Sequence, residues 1–222
     1  MNPALKFKQR MLAQAETKKP TPTEKAAPVT EESLKVKQSL ANDLTTLKAL
    51  TGDEERLPHK AELIEKYREY VTGLMQSHAN WARLEIVFWW LMWRYDVEGF
   101  EAVQEDMLAG IEHGLTTPTS FNRDWQTIYL DQVNEYTSTA LQKEVEFNDK
   151  LITQAVSLLS AGEVATNIPL KAKLWANHGK TAMLFKDYET AAKSFTTALK
   201  LDDKVGVKKL LAEAEKGIND AK

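Results

Sequence analysis

The chain has 222 residues, 43% of them hydrophobic, with 29 Lys/Arg against 32 Asp/Glu and no cysteine. That supplies a real core, while no apolar run approaches the ~20 residues needed to span a bilayer. Without cysteine there are no disulfides and no thiolate chemistry. With no signal-peptide pattern over Met1 to Met11 either, an intracellular site is expected. The net charge of −3 hides a division. Residues 1–30 hold six Lys/Arg (Lys6, Lys8, Arg10, Lys18, Lys19, Lys25) against Glu16 and Glu24, or +4; residues 31–222 hold 23 against 30, or −7. A basic arm on an acidic body points to a polyanionic partner.

Leu5 and Leu12 lie seven apart and Lys6 and Arg10 share another face, so a short basic amphipathic helix is expected there when bound. Ala13 to Pro28 has no large apolar residue and three prolines, and reads as a linker that cannot offset its ordering entropy. From a Thr30 cap, Val36, Leu40, Leu44 and Leu47 recur at helical spacing until Thr51-Gly52-Asp53. Pro58 is expected to open a second helix with the stripe Leu63, Ile64, Tyr67, Val71 and Leu74. The two form a hairpin within the chain or a seam between subunits.

Asn80 is expected to cap the most apolar segment, where Trp81, Trp89, Trp90 and Trp93 cluster. Ile86 to Trp93, flanked by Glu85 and Arg94, is expected as a buried helix. Another helix follows from about Glu98 to His113, with Phe100, Val103, Met107 and Ile111 inward and Gly114 as its αL cap. Beyond a loop around Pro118, helices are expected over about Asp124–Glu146 and Asp149–Ser160. From Ala172, the residues Trp175, Gly179, Ala191, Phe195 and Ala198 fall at tetratricopeptide-repeat positions of a helix-turn-helix unit, and a capping helix is expected over about Lys204–Ile218. No strand pair is legible, so the class is all-α. The segments are 1–29, a flexible basic arm; 30–78, a helical hairpin suited to oligomerisation; 79–160, a central helical domain; and 161–222, the tetratricopeptide-like helices and cap.

No catalytic, cofactor or metal site is expected. Gly179-Lys180-Thr181 imitates a phosphate-binding loop, but Leu174 stands where the motif needs its first glycine, and no strand precedes it. Asp202-Asp203-Lys204 is the nearest carboxylate cluster to a nuclease centre, and solvated turn residues explain it more simply. The four histidines show no ligand spacing. Core packing explains the tryptophans better than base stacking. The arm is the best candidate, because Lys and Arg bind phosphate by displacing counterions without reading sequence. A solvated tail is its plain alternative.

Trp93-Arg94-Tyr95-Asp96-Val97-Glu98-Gly99-Phe100, His113-Gly114-Leu115-Thr116-Thr117-Pro118, Phe121 and Arg123 resemble the GpM family of phage terminase small subunits. So do Leu201-Asp202, Val205-Gly206-Val207-Lys208-Lys209, Asn2-Pro3-Ala4 and Met11-Leu12-Ala13. The resemblance covers most of residues 85–222. It implies a protein of the host cytoplasm that binds double-stranded viral DNA and hands it to a terminase large subunit with ATPase and nuclease, as a ring-like homo-oligomer without a membrane. Family members are often labelled endonuclease subunits, a label these residues do not support independently. Some relatives carry a long basic C-terminal tail where this sequence has mixed charge, so DNA contact is expected at the six basic residues of the arm or at a surface that the sequence alone does not assemble. Two other readings compete: a tetratricopeptide-like adaptor that binds no DNA, and a metal-dependent endonuclease.

Overall fold

A computed structural model describes residues 31–221, nine α-helices with no strand among them. The all-α class holds. By packing, the described residues divide into two compact units, 31–125 and 126–221, a coarser division than the four segments read from the sequence.

In the first unit α1 (Glu31–Ala49) and α2 (Gly52–Ser77) form an antiparallel hairpin within the chain. The turn has clear causes. Gly52 takes φ +75°, which reverses the chain at no steric cost, and the Arg56 guanidinium bonds the Leu50 carbonyl at 3.0 Å. Further along, Tyr67 of α2 donates to Asp43 of α1, and Lys66 pairs with the same carboxylate at 2.7 Å. Burial, then the Asp43 carboxylate, pushes the Tyr67 phenol above its ordinary range, so it stays a donor. Of the α1 stripe, Leu40 and Leu47 are buried.

The α2 start corrects the expectation at Pro58, which lies in the second turn of a helix that begins at Gly52. As the seventh residue of the helix, the proline removes one i→i−4 donor and crowds the Glu54 carbonyl, a local cost that the rest of this 26-residue helix outweighs. Asp53, Glu54 and Glu55 favour the positive helix end, and Glu55 accepts from the Thr51 amide at 2.7 Å.

α3 (Glu85–Glu98) doubles back along α2, with Trp90 donating to the Ile64 carbonyl at 3.0 Å and Lys60 paired to Asp96 at 2.7 Å. Val87, Phe88, Trp90, Leu91 and Trp93 are buried, as an almost uniformly apolar helix requires. Asn80 does not cap it. Its side chain accepts from the Ala82 amide in a local turn, and the helix begins at Glu85. Tertiary anchoring prevails over the local cap here: the Trp81 amide donates to the His113 carbonyl at 2.8 Å, and the two rings stack 4.5 Å apart. Gly99, at φ +84°, separates α3 from α4 (Phe100–Glu112). Gly114 takes φ +69° beyond α4, as its cap position predicts. Trp125 closes this unit, edge-on to Phe88 and donating to the Met107 carbonyl at 2.9 Å.

The second unit contains α5 (Trp125–Lys143) from Gln126 onward, α6 (Lys150–Ala161), α7 (Ile168–Leu184), α8 (Tyr188–Leu201) and α9 (Lys208–Asp220). Asn167 caps α7 by accepting from the Leu170 amide at 3.0 Å, with a proline in the first turn. Asn177 of α7 donates to Asn134 of α5 at 3.1 Å. α7 and α8 approach closely because Gly179 lies flat against Phe195: a Cβ there would stand 2.5 Å from the ring. Ala172, Ala176, Ala191 and Ala198 are buried along the pair. α9 packs by the same device, Gly217 against the Tyr188 ring. It begins at Lys208, four residues later than expected. Asp202 accepts from the Lys204 amide at 2.9 Å, and Gly206 at φ +84° turns the chain first.

Candidate functional site

The six basic arm residues, Lys6, Lys8, Arg10, Lys18, Lys19 and Lys25, lie outside the described residues. The other sequence candidates prove to be packing or turn positions. Gly179 faces Phe195 in mid-helix, Lys180 is half-exposed, and buried Thr181 donates to the Asn177 carbonyl at 2.9 Å. Trp81, Trp90 and Trp93 are buried, while half-buried Trp89 donates to Glu85 at 3.1 Å and meets Phe121 edge-on. Among the described residues no three His, Asp or Glu side chains stand where they would hold a metal ion together. No described helix is long and apolar enough to cross a membrane.

One histidine sits in a built polar cluster. Ser194 gives its proton to the Thr190 carbonyl at 2.8 Å, so it can only accept from His178 Nδ1, 2.9 Å away. That fixes the proton on Nδ1 in the neutral ring. Burial pushes the His178 pKa below the ordinary histidine value, opposed by the Asp187 carboxylate. Asp187 itself is held below the usual carboxylate range, first by hydrogen bonding to Thr190 as the cap of α8. Ser194 is buried, so this is a positioning cluster of the α7–α8 pair and no nucleophile.

Charge is distributed unevenly between the units. Residues 31–125 hold 10 Lys/Arg against 17 Asp/Glu, or −7, whereas residues 126–222 hold 13 of each. Within the latter, the 23 residues from Val164 to Lys186 contain four lysines (Lys171, Lys173, Lys180, Lys186) and no acid. Helical spacing puts Lys173, Lys180 and Leu184 on the narrow exposed stripe of α7, which is buried on most of its circumference. The stripe runs into the α7–α8 turn, where Leu184 is 61% and Phe185 66% exposed and Lys186 takes φ +58°.

The α3–α4 elbow of the first unit has the opposite character. Val97 is 39% exposed beside Asp96 and Glu98, with Glu101, Glu105 and Asp106 on the adjoining turns of α4. Lys60 pairs with Asp96, Arg94 bridges Glu98 and Asp106 while lying 4.8 Å over the Trp90 ring, and Arg68 also lies near enough to Glu98 to feel its charge. Burial works against the Arg94 charge. The hydrogen bonds it donates to the two carboxylates nevertheless raise its pKa, so the bridge is permanently charged.

The acid-free window is countable in the sequence, but a balance of the arm against the whole body averages it away. The exposure of Leu184 and Phe185 had no sequence signal, since helical periodicity continues through Leu184.

The family model described as phage small terminase subunit matches residues 37–167. The chain is 25% identical over 180 residues to the terminase, endonuclease subunit of Escherichia phage P2, covering 80% of this chain and 70% of that one. No solved structure matches it.

Proposed function

We infer, from the premise that this chain belongs to the phage small terminase subunit family, that it binds double-stranded viral DNA in the host cytoplasm. It then recruits or regulates the terminase large subunit for packaging. A phage DNA-packaging role follows from the family itself. The DNA contact is assigned to Lys6, Lys8, Arg10, Lys18, Lys19 and Lys25. The observation that carries this assignment is the charge division, +4 over residues 1–30 against −7 over 31–125. An acidic body repels a phosphate backbone, so binding falls to the basic segment of the chain. In a ring-like homo-oligomer each further arm binds intramolecularly, and weak contacts sum to avidity.

Deleting residues 1–28 tests the assignment by duplex-DNA titration at several salt concentrations. If all six cations meet phosphates, the slope of log affinity on log salt flattens by about 5 per engaged arm. Unchanged affinity and slope would refute the assignment. The name of the phage P2 relative favours a second reading, a nuclease. Its test is divalent-metal-dependent nicking by the purified chain, removed by one carboxylate substitution.

A further inference from the structure

We propose that the end of the second unit where α7 begins, α8 ends and α9 begins is a second contact surface for the phosphate backbone of duplex DNA. This rests on the DNA-binding reading above and adds to the arm a surface that only the fold assembles. Both helix pairs are antiparallel. His178 of α7 meets Ser194 of α8 across the turn at Lys186, and Gly217 near the end of α9 lies on Tyr188 at the start of α8. The start of α7, the end of α8 and the start of α9 therefore share one end of the stack. That gathers Lys171, Lys173, Lys200, Lys204, Lys208 and Lys209, which stand far apart in sequence. Lys171 is half-buried and the others are exposed, and among the described residues none of the six is ion-paired, unlike Lys60 and Lys66 of the first unit. The carboxylates at this end are Glu163 ahead of α7, Asp202, which accepts from the Lys204 amide, Asp203, and Glu213 one turn beyond Lys209. Six lysines against these four leave an excess of two positive charges.

The start of α9 points to an anion independently. Its first turn holds Lys208 and Lys209, with no acid and no side-chain cap, so cations stand against the positive end of the helix dipole. By contrast α1, α2, α3, α4 and α8 each carry acids in the first turn. A phosphate group seated on the uncapped amides between the two lysines would relieve that opposition. A protein partner would need an apolar anchor, and among the described residues the one large apolar side chain exposed at this end is Ile168. Lysines with a helix start are the groups that hold a phosphate backbone without reading sequence.

Duplex-DNA binding by the full chain is titrated at several salt concentrations, with circular dichroism as a folding control. Lys173→Gln, Lys200→Gln, Lys208→Gln and Lys209→Gln together should weaken binding by about tenfold or more and flatten the slope of log affinity on log salt by about 3–4 per engaged chain. A matched control, Lys143→Gln, Lys150→Gln, Lys186→Gln and Lys216→Gln, removes the same charge from other places and should weaken binding by about threefold at most. Lys208→Glu with Lys209→Glu should move two measurements in opposite directions: a higher urea midpoint, because acids suit a helix start, and weaker DNA binding. Equal losses in the target and control variants would overturn the surface in favour of net charge alone. Unchanged binding in the target variant would overturn the proposal, and the arm reading then stands or falls by the deletion of residues 1–28. A wild-type chain that binds no duplex would overturn both. Normal DNA binding with a changed particle mass in light scattering would overturn it in favour of a protein-facing surface.

Discussion

Gly179→Ala places one methyl group where α7 and α8 meet. The added Cβ would stand 2.5, 2.6 and 3.0 Å from three carbons of the Phe195 ring, against ordinary contacts of 3.4 Å or more. Phe195 is fully buried, and small buried neighbours such as Ala191 and Ala198 keep the pair close, so the ring cannot swing into solvent. Overpacking of this kind costs typically about 1–3 kcal/mol, and overlap at three atoms puts the site at the upper end. Replacing a mid-helix glycine by alanine returns about 1 kcal/mol of helix propensity. The net expectation is a loss of about 2 kcal/mol. Gly73 provides the control: it lies exposed within α2 with nothing within 4 Å of its Cβ position, so Gly73→Ala should gain about 0.5–1 kcal/mol. Urea titrations followed by circular dichroism measure both. Phe195→Leu in the Gly179→Ala background should cost less than the sum of the two single changes. A Gly179→Ala chain as stable as the wild type, or strictly additive double variants, would refute the close approach.

Two further outcomes are expected. His178 has a lowered folded pKa, so the unfolded chain takes up its proton first as pH falls. Its contribution is complete above the ordinary histidine value near 6.5 and declines as pH drops below it; urea midpoints at pH 7.5 and 5.5 should differ for the wild type and converge for His178→Asn. Arg94→Ala removes the bridge between Glu98 and Asp106 and the cation over Trp90, and should cost about 1–3 kcal/mol by urea titration, with Arg94→Lys recovering only part.

Helix existence and core faces were legible because apolar spacing is local: Leu63, Ile64, Tyr67 and Val71 are buried as their stripe predicts. Helix starts were less so. At Pro58 and Asn80 a strong local signal met a competing one: the acidic residues ahead of the proline, and the anchoring of Trp81 to His113. The second of these joins residues more than thirty apart, which no window of sequence contains. The site divides the same way. Charge asymmetry was readable by counting, whereas the opening of Leu184 and Phe185 to water depends on where α8 begins and which flank of α7 its neighbours leave bare.

The tryptophans give the two units different optical signatures. Five of the six indoles, Trp81, Trp89, Trp90, Trp93 and Trp125, belong to the first unit, and Trp175 stands by itself in the second. A Trp175→Phe chain therefore emits from residues 31–125 alone, while its helical dichroism still reports both units. Coincidence or separation of those two signals during unfolding reads directly whether the acidic unit and the lysine-bearing helix pair cooperate as one folding body or act as two.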